Sequence, residues 1–275
     1  MDPETNNPIA VFDSGLGGLT VVSELARLMP AEPVVYLGDS ARVPYGTKSL
    51  ATVRRFAMEN AAFCRRFDPK LILVACNTAS AAAFDELRAT SDVPVLDVIR
   101  PAVAAALAAT DGPIGVIATE GTVTSGIYER LLTEAHRPML AQACPLLVPI
   151  IEEGRAENPD DPIVLNALGD YLHAMQRRRV GALILGCTHY PLLATAISKL
   201  MGPDVVLINS GQAAAAAARD YLTREAMLAP AGATDLRCFT TGDPARFADL
   251  SERFAGHVIE NVQAVSTDEL TGACS

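Results

Sequence analysis

Two stretches of the chain end in the same way. Leu71-Ile72-Leu73-Val74-Ala75 runs into Cys76-Asn77-Thr78, and Leu183-Ile184-Leu185-Gly186 runs into Cys187-Thr188-His189. A thiol at the tip of each of two similar strands supplies two acid/base groups that can face one substrate from opposite sides. One can take a proton from one face of a carbon centre while the other returns a proton to the opposite face. A free thiol, with a pKa of about 8.5, is only a few per cent thiolate at neutrality. Lowering it to about 7 is worth roughly 2 kcal/mol, and Asn77-Thr78 and Thr188-His189 fall where helices should start, whose N-termini are expected to supply that shift. The competing reading of either cysteine is a small apolar side chain packed in a core.

Residues just past the carboxyl ends of strands in open α/β sheets are the ones placed to meet a ligand, and three further segments fall there. Asp13-Ser14-Gly15-Leu16-Gly17-Gly18 follows the apolar run Ile9 to Phe12. Its glycines permit a tight turn with backbone N–H groups open to an anion, or simply an Asp-capped turn; the spacing fits neither the dinucleotide nor the P-loop pattern. In Gly38-Asp39-Ser40-Ala41-Arg42-Val43-Pro44-Tyr45-Gly46, the Tyr45 hydroxyl and the Gly46 backbone could hold a carboxylate, or Pro and Gly mark an ordinary turn. Val148 to Gly154 carries Glu152 and Glu153, which are either solvated or available to tune a thiol or orient a substrate ammonium. His189 is better placed for chemistry than His136, His173 or His257, which sit in helical or tail sequence. Cys64, Cys144, Cys238 and Cys274 have no apolar run leading into a polar turn and read as structural or surface residues.

The elements that must position these residues alternate along the chain. Strands are expected at Ile9 to Phe12, Pro33 to Leu37, Leu71 to Ala75, Val93 to Leu96, Ile114 to Ala118, Leu146 to Ile150, Ala182 to Gly186 and Val205 to Ile208. Unbroken apolar runs of this kind suit parallel strands covered by helices on both faces. Helices are expected at Leu19 to Leu28, Ser49 to Phe67, Ala79 to Ala89, Thr122 to His136, Ile163 to Arg178 and Pro191 to Leu200, with another starting at Pro101 near a crossover. Glu152 to Pro162 reads as a long irregular loop. The fold class is therefore α/β, in two units that each hold a mainly parallel sheet flanked by helices. Residues 1–98 with 210–275 would form the first and 99–209 the second.

Composition sets outer bounds. In 275 residues, half are hydrophobic and the formal net charge is −10, which argues against a general nucleic-acid or anionic-membrane surface. The first residues lack a basic segment followed by an apolar run, and no apolar stretch reaches membrane-spanning length, so a soluble cytoplasmic protein is expected. Six scattered cysteines without a CxxC pair suggest reduced thiols and no metal site.

Taken together, Asp13 to Gly18, Pro44-Tyr45-Gly46, Cys76-Asn77-Thr78 and Gly186-Cys187-Thr188-His189-Tyr190-Pro191 resemble the glutamate racemases, in the aspartate/glutamate racemase superfamily. The resemblance extends from Ile9 through Thr241-Gly242-Asp243-Pro244 to about Phe254. It implies two similar α/β domains with the active site in the cleft between them, a cofactor-independent 1,1-proton transfer between L- and D-glutamate, the D form feeding peptidoglycan synthesis, and commonly a homodimer. By motif match Cys76 and Cys187 would be the proton donors and acceptors, with Asp13, Glu152 and His189 at positions that assist the thiols; Asp13 would serve Cys76, and His189 would serve Cys187. Asp13, Ser14, Tyr45, Gly46, Asn77, Thr78, Thr188 and His189 would contact substrate. Two places depart from the commonest pattern, Asp97 and Thr119-Glu120-Gly121-Thr122, and neither is expected to touch the cysteine motifs. Racemisation of aspartate or another acidic amino acid, a non-catalytic amino-acid-binding protein on the same scaffold, and a one-cysteine hydrolase are the other readings; the hydrolase would leave the second cysteine idle.

Overall fold

A computed structural model describes residues 3–230 and 235–272; Cys274 lies outside them. Among the described residues ten strands form two sheets, every pair parallel. The strands are β1 Ile9–Asp13, β2 Val34–Gly38, β3 Leu71–Val74, β4 Val95–Asp97, β5 Ile114–Ala118, β6 Met139–Ala143, β7 Ala182–Gly186, β8 Val206–Asn209, β9 Leu236–Thr240 and β10 Val262–Ala264. One sheet runs β10-β9-β2-β1-β3-β4 and the other β6-β5-β7-β8. The segments β2-β1-β3-β4 and β6-β5-β7-β8 thus repeat one order, with β3 matching β7. The similarity of the two cysteine-tipped strands is a similarity of position in the fold.

The alternation of side chains along the central strands divides the core. Ile9 and Val11 of β1 and Leu71 and Leu73 of β3 face a cluster that continues without a break into the second sheet. Ala10, Phe12, Ile72 and Val74 face the opposite cluster, beneath the helices Leu50–Arg65 and Asn77–Thr90. The helices Ile99–Ala109 and Ser210–Arg224 carry the chain between the sheets and pack on each other. Local chemistry sets several helix starts: Ser49 accepts the Thr52 N–H at 3.2 Å, and Asp161 accepts those of Ile163 and Val164 at 2.8 and 3.2 Å with Pro162 in the first turn.

Several expectations change. Leu146 to Ile150 is not a strand but the helix Leu147–Glu152; Pro149 falls in its first turn, where a missing N–H costs nothing, whereas it would break a sheet ladder. The strand of that region is β6, a half-buried edge of modest β-propensity. Thr122 to His136 divides into Glu120–Thr124 and Ile127–Glu134, because Gly126 turns the chain at φ 69°. The helix expected from Pro101 begins at Ile99, and the expected loop from Glu152 to Pro162 is irregular apart from a single turn at Arg155–Glu157. The tail adds β9 and β10 to the first sheet, with the helices Pro244–Ala255 and Thr267–Gly272.

At the amino-terminal end of the first sheet a buried ion pair gathers four segments. Lys70 Nζ lies 2.5 Å from Glu32 Oε2 and donates to the carbonyls of Thr5 and Met227 at 2.7 and 2.9 Å, while Glu32 Oε1 accepts the Ala229 N–H at 2.7 Å. Removing one partner of such a pair strands the other charge away from water. Lys70→Met should therefore lower the unfolding free energy by about 3–5 kcal/mol in urea titration. Adding Glu32→Leu should recover only part of it, since the three backbone groups still lose their charged partner; full recovery would contradict this assignment.

Candidate active site

In each sheet the chain leaves the central strand to one side and then crosses to the other, so the order reverses between β1 and β3 and again between β5 and β7. Loops diverge at such reversals and leave a crevice at the carboxyl ends of the strands. Asp13 ends β1, Cys76 follows β3, Thr119 follows β5 and Cys187 follows β7. The two crevices open on one cavity of about 330 Å³ whose walls include both thiols, Ser14, Tyr45, Gly46, Asn77 and Thr78 from one side, and Glu152, Thr188 and His189 from the other. Its size falls within the range of small-molecule sites.

Asp13 is not a wall residue but lies beneath the floor, fully buried. Its Oδ2 accepts the N–H groups of Gly15 and Gly18 at 3.0 and 3.1 Å, and Oδ1 has no hydrogen-bond partner among the described residues. Burial raises its pKa, against the opposing pull of His189 and the backbone N–H groups. The glycine at 17 is required by contact: a Cβ there would lie 2.2 Å from Thr188 Oγ1 and 2.4 Å from His189 Nδ1. Thr20 Oγ1 reaches the Thr188 carbonyl at 3.0 Å, so the loop after β1 is pressed directly onto the segment after Cys187.

Cys76 caps the helix Asn77–Thr90, its Sγ accepting the Ala79 N–H at 3.5 Å and standing 3.7 Å from Ser14 Oγ. The helix start was expected to lower this thiol. Instead burial, and then the Asp13 carboxylate, push it up to about 12, because one N–H cannot offset the loss of water and a neighbouring negative charge. Negative charge on Cys187 raises it further, so the two sulfurs disfavour being ionised together.

Cys187 has a different neighbour. Its Sγ lies 3.9 Å from His189 Nδ1, and His189 Nε2 lies 3.1 Å from Glu152 Oε1. Burial lowers the His189 pKa, but the hydrogen bonds and charges of Cys187 and Glu152 outweigh it and bring the imidazole up to about 10. One thiol therefore faces a buried carboxyl and the other an imidazolium.

Other expected contacts are redistributed. The Tyr45 hydroxyl is turned away from the cavity: it donates to Asp39 and accepts from Asn60 Nδ2 at 3.2 Å, leaving its ring and the Gly46 backbone at the wall. Asp39 and Glu59 also hold the guanidinium of Arg42, which fixes the loop. The Asn77 amide joins Tyr128 and Ser210 rather than projecting freely. The segment Thr119 to Thr122, expected to stay clear of the cysteine motifs, meets one of them: Thr78 Oγ1 lies 2.9 Å from Thr119 Oγ1 and 3.2 Å from Thr122 Oγ1. Asp97 does stand apart, its carboxylate taken by Arg100 at 2.7 and 3.1 Å. His136, His173 and His257 are exposed, while Cys64 and Cys238 are buried.

The sequence reading missed Thr119, Glu120, Cys144 and Pro145 as wall residues. Cys144 follows β6, whose Ala143 pairs with Ala118; recognising β6 would have placed it one strand from Thr119. Burial, then Cys187, push its thiol up to about 12. Among the described residues there is no cluster of three or more His, Cys, Asp or Glu able to hold a metal, and no helix is long and apolar enough to cross a membrane.

Comparison with known proteins finds relatives along nearly the whole chain. The family model described as Asp/Glu/Hydantoin racemase matches residues 14–218. A curated glutamate racemase of Thermus thermophilus is 46% identical over 269 residues, covering 98% of this chain and 99% of that protein. The crystal structure of glutamate racemase isoform RacE1 from Bacillus anthracis matches with a TM-score of 0.91 at 39% identity, over 96% of this chain and 98% of that one. A glutamate racemase from Francisella tularensis, solved in complex with D-glutamate, matches with a TM-score of 0.89 at 36% identity, over 96% and 99%.

The raised His189 pKa has a consequence for stability. Below the ordinary histidine value of 6.5 both folded and unfolded chains hold the proton; between there and about 10 only the folded chain does. The stabilisation is complete below 6.5 and is lost as pH rises through that window. The melting-temperature advantage of the wild type over His189→Asn should therefore be largest near pH 6 and shrink toward pH 10, and an advantage that grows with pH would contradict the assignment.

Proposed function

The chain belongs to the Asp/Glu/hydantoin racemase family, and from that premise we propose that it is a glutamate racemase acting by two-base proton transfer between Cys76 and Cys187. The observation that carries this reading is the placement of the two thiols after equivalent strands of the two sheets, β3 and β7, with both in the wall of one cavity. A substrate whose Cα lies between them presents its hydrogen to one sulfur and its opposite face to the other.

In one direction a thiolate removes the Cα proton, forming its own S–H bond and leaving the bonding pair on carbon. The other sulfur gives up its proton to the opposite face, and the configuration is inverted. The protonation of the pair is thereby exchanged, leaving the site in the form that suits the other enantiomer. The mutual repulsion of two thiolates favours this one-proton arrangement. Asp13 supports Cys76 by holding or releasing a proton below the floor, and His189 with Glu152 does the same for Cys187.

The carbanion is stabilised through the substrate carboxylate, into which its charge delocalises. The amides of Asn77 and Thr78, the first of the helix Asn77–Thr90, have no acceptor within the helix and suit that carboxylate. Ser14, Gly46, Thr78 and Thr188 complete the cradle. Cys76 and Cys187 are only 6% and 7% exposed, so the transfer takes place in a setting poor in water, where hydrogen bonds to developing charge count for more. No bound cofactor is required. We place the enzyme in the cytoplasm as a homodimer that supplies D-glutamate for peptidoglycan, with residues 1–98 and 210–275 as one domain and 99–209 as the other.

Incubation in deuterium oxide, followed by circular dichroism and by α-deuterium incorporation, tests the reading. The wild type should racemise and label both enantiomers of glutamate, and Cys76→Ala and Cys187→Ala should each lose about 10²–10⁴-fold in racemisation. Normal turnover by either variant would refute the two-base assignment, and exchange with aspartate but not glutamate would refute the substrate.

A further inference from the structure

The helix Pro244–Ala255 follows β9 in the sheet that carries Cys76, yet its last turn meets the supports of the other thiol. Arg253 Nη1 donates to the Glu152 carbonyl at 2.6 Å and Nε to Glu157 Oε1 at 3.0 Å. The next residue, Phe254, is buried, its ring centroid 5.0 Å from that of His189 with the planes at 75°. Ser23 Oγ donates to the Ala255 carbonyl at 2.9 Å, which fastens this turn to the helix Leu19–Leu28 that begins just after Gly17 and Gly18. Two adjacent residues from one sheet's side thus touch the two members of the hydrogen-bonded pair on the other.

Each contact fixes something the pair cannot fix alone. The Glu152 side chain is half exposed and hangs from the last turn of a short helix, Leu147–Glu152, whose final carbonyls have no partner within the helix. A guanidinium on such a carbonyl is favourable both as a hydrogen bond and for the helix dipole. Gly154, at φ 84°, lets the chain pass beneath it: a Cβ there would lie 2.9 Å from Arg253 Nη2. The tilted Phe254 ring blocks rotation of the imidazole away from the line between Cys187 and Glu152. The charged or titratable groups around the imidazole are Cys187, Glu152 and Asp13, and those around Glu152 are His189 and Arg253, the latter also holding Glu157.

We infer that Arg253 and Phe254 are positioning residues that hold the Glu152–His189 pair in line with Cys187, so that the sheet bearing one base sets the geometry of the other. This rests on the two-base reading above. Because the enantiomers are equal in free energy in water, kcat/KM must stay equal in the two directions. A disturbance confined to the Cys187 side must therefore appear elsewhere, as unequal changes in the primary deuterium isotope effects with α-deuterated L- and D-glutamate.

The test uses the full-length enzyme labelled with ¹⁵N-histidine, whose four histidines are resolved with His189→Asn as the assignment control. Arg253→Ala and Phe254→Leu should shift the ring-nitrogen signals of His189, lower kcat by up to about 10²-fold as expected of a misplaced catalytic group, and change the ratio of the two isotope effects. Arg253→Lys and Phe254→Tyr should restore all three toward wild type. Arg253 is partly exposed, so its variants remain informative if Phe254→Leu fails to fold. A fall in kcat with the His189 signals unmoved, or moved signals with an unchanged isotope-effect ratio, overturns the inference. Absence of racemisation in the wild type would count against the proposed function, and the imidazole spectra would then decide the clamp by themselves.

Discussion

The arrangement depends on one buried amide. Asn77 Oδ1 accepts the Tyr128 hydroxyl at 2.8 Å, its Nδ2 donates to Ser210 Oγ at 3.4 Å, and Ser210 in turn donates to the Leu185 carbonyl at 3.0 Å. The chain of bonds runs from the residue after Cys76 to a strand residue two before Cys187. Every member is buried, and a polar group left unpaired in such a place costs about 1–3 kcal/mol. The two strand ends cannot drift apart without stranding several of them. The ring of hydroxyls at Thr78, Thr119 and Thr122 and the close approach at Gly17 brace the same spacing from other sides of the cavity.

Repetition of topology has not produced repetition of charge. The matching ends of β3 and β7 deliver matching thiols, but the ionisable groups beside them come from unmatched places. Asp13 belongs to the strand beside β3, whereas the strand beside β7 ends in the neutral Ala118-Thr119. The support of Cys187 is assembled instead from the residue two positions on and from a helix end at Glu152. The cavity is therefore only roughly symmetrical, with a carboxyl buried beside one thiol and a cation beside the other.

Much of this was legible in the residues. Buried parallel strands such as β1, β3, β5 and β7 carry unbroken apolar runs, so their ends, and the candidate chemistry at them, stand out. Edge strands do not: β6 is only half buried and contains Gln142, and the stronger apolar run after it drew the strand assignment to what is a helix. That error concealed Cys144 as a neighbour of the site. The directions of Tyr45 and Asn77 were equally out of reach, since each is decided by folding that brings partners together: Asp39 across its own loop and Asn60 from the next helix for one, and Tyr128 and Ser210 for the other. The thiol shift was misjudged for a related reason. Local spacing reveals the helix N-terminus after Cys76, but not the degree of burial or the carboxyl beneath the floor, and these two dominate.

The order of strands in the first sheet also bears on how the molecule comes into being. β9 lies between β2 and β10, yet it is reached only after the whole of the second sheet in chain order. On the ribosome, Val34 to Leu37 of β2 must wait as an open, apolar sheet edge while β5 to β8, a contiguous stretch, can already close on itself. The sheet that is complete in one stretch of sequence is therefore the later one, and the nascent chain carries its first thiol-bearing sheet unfinished until β9 and β10 are made.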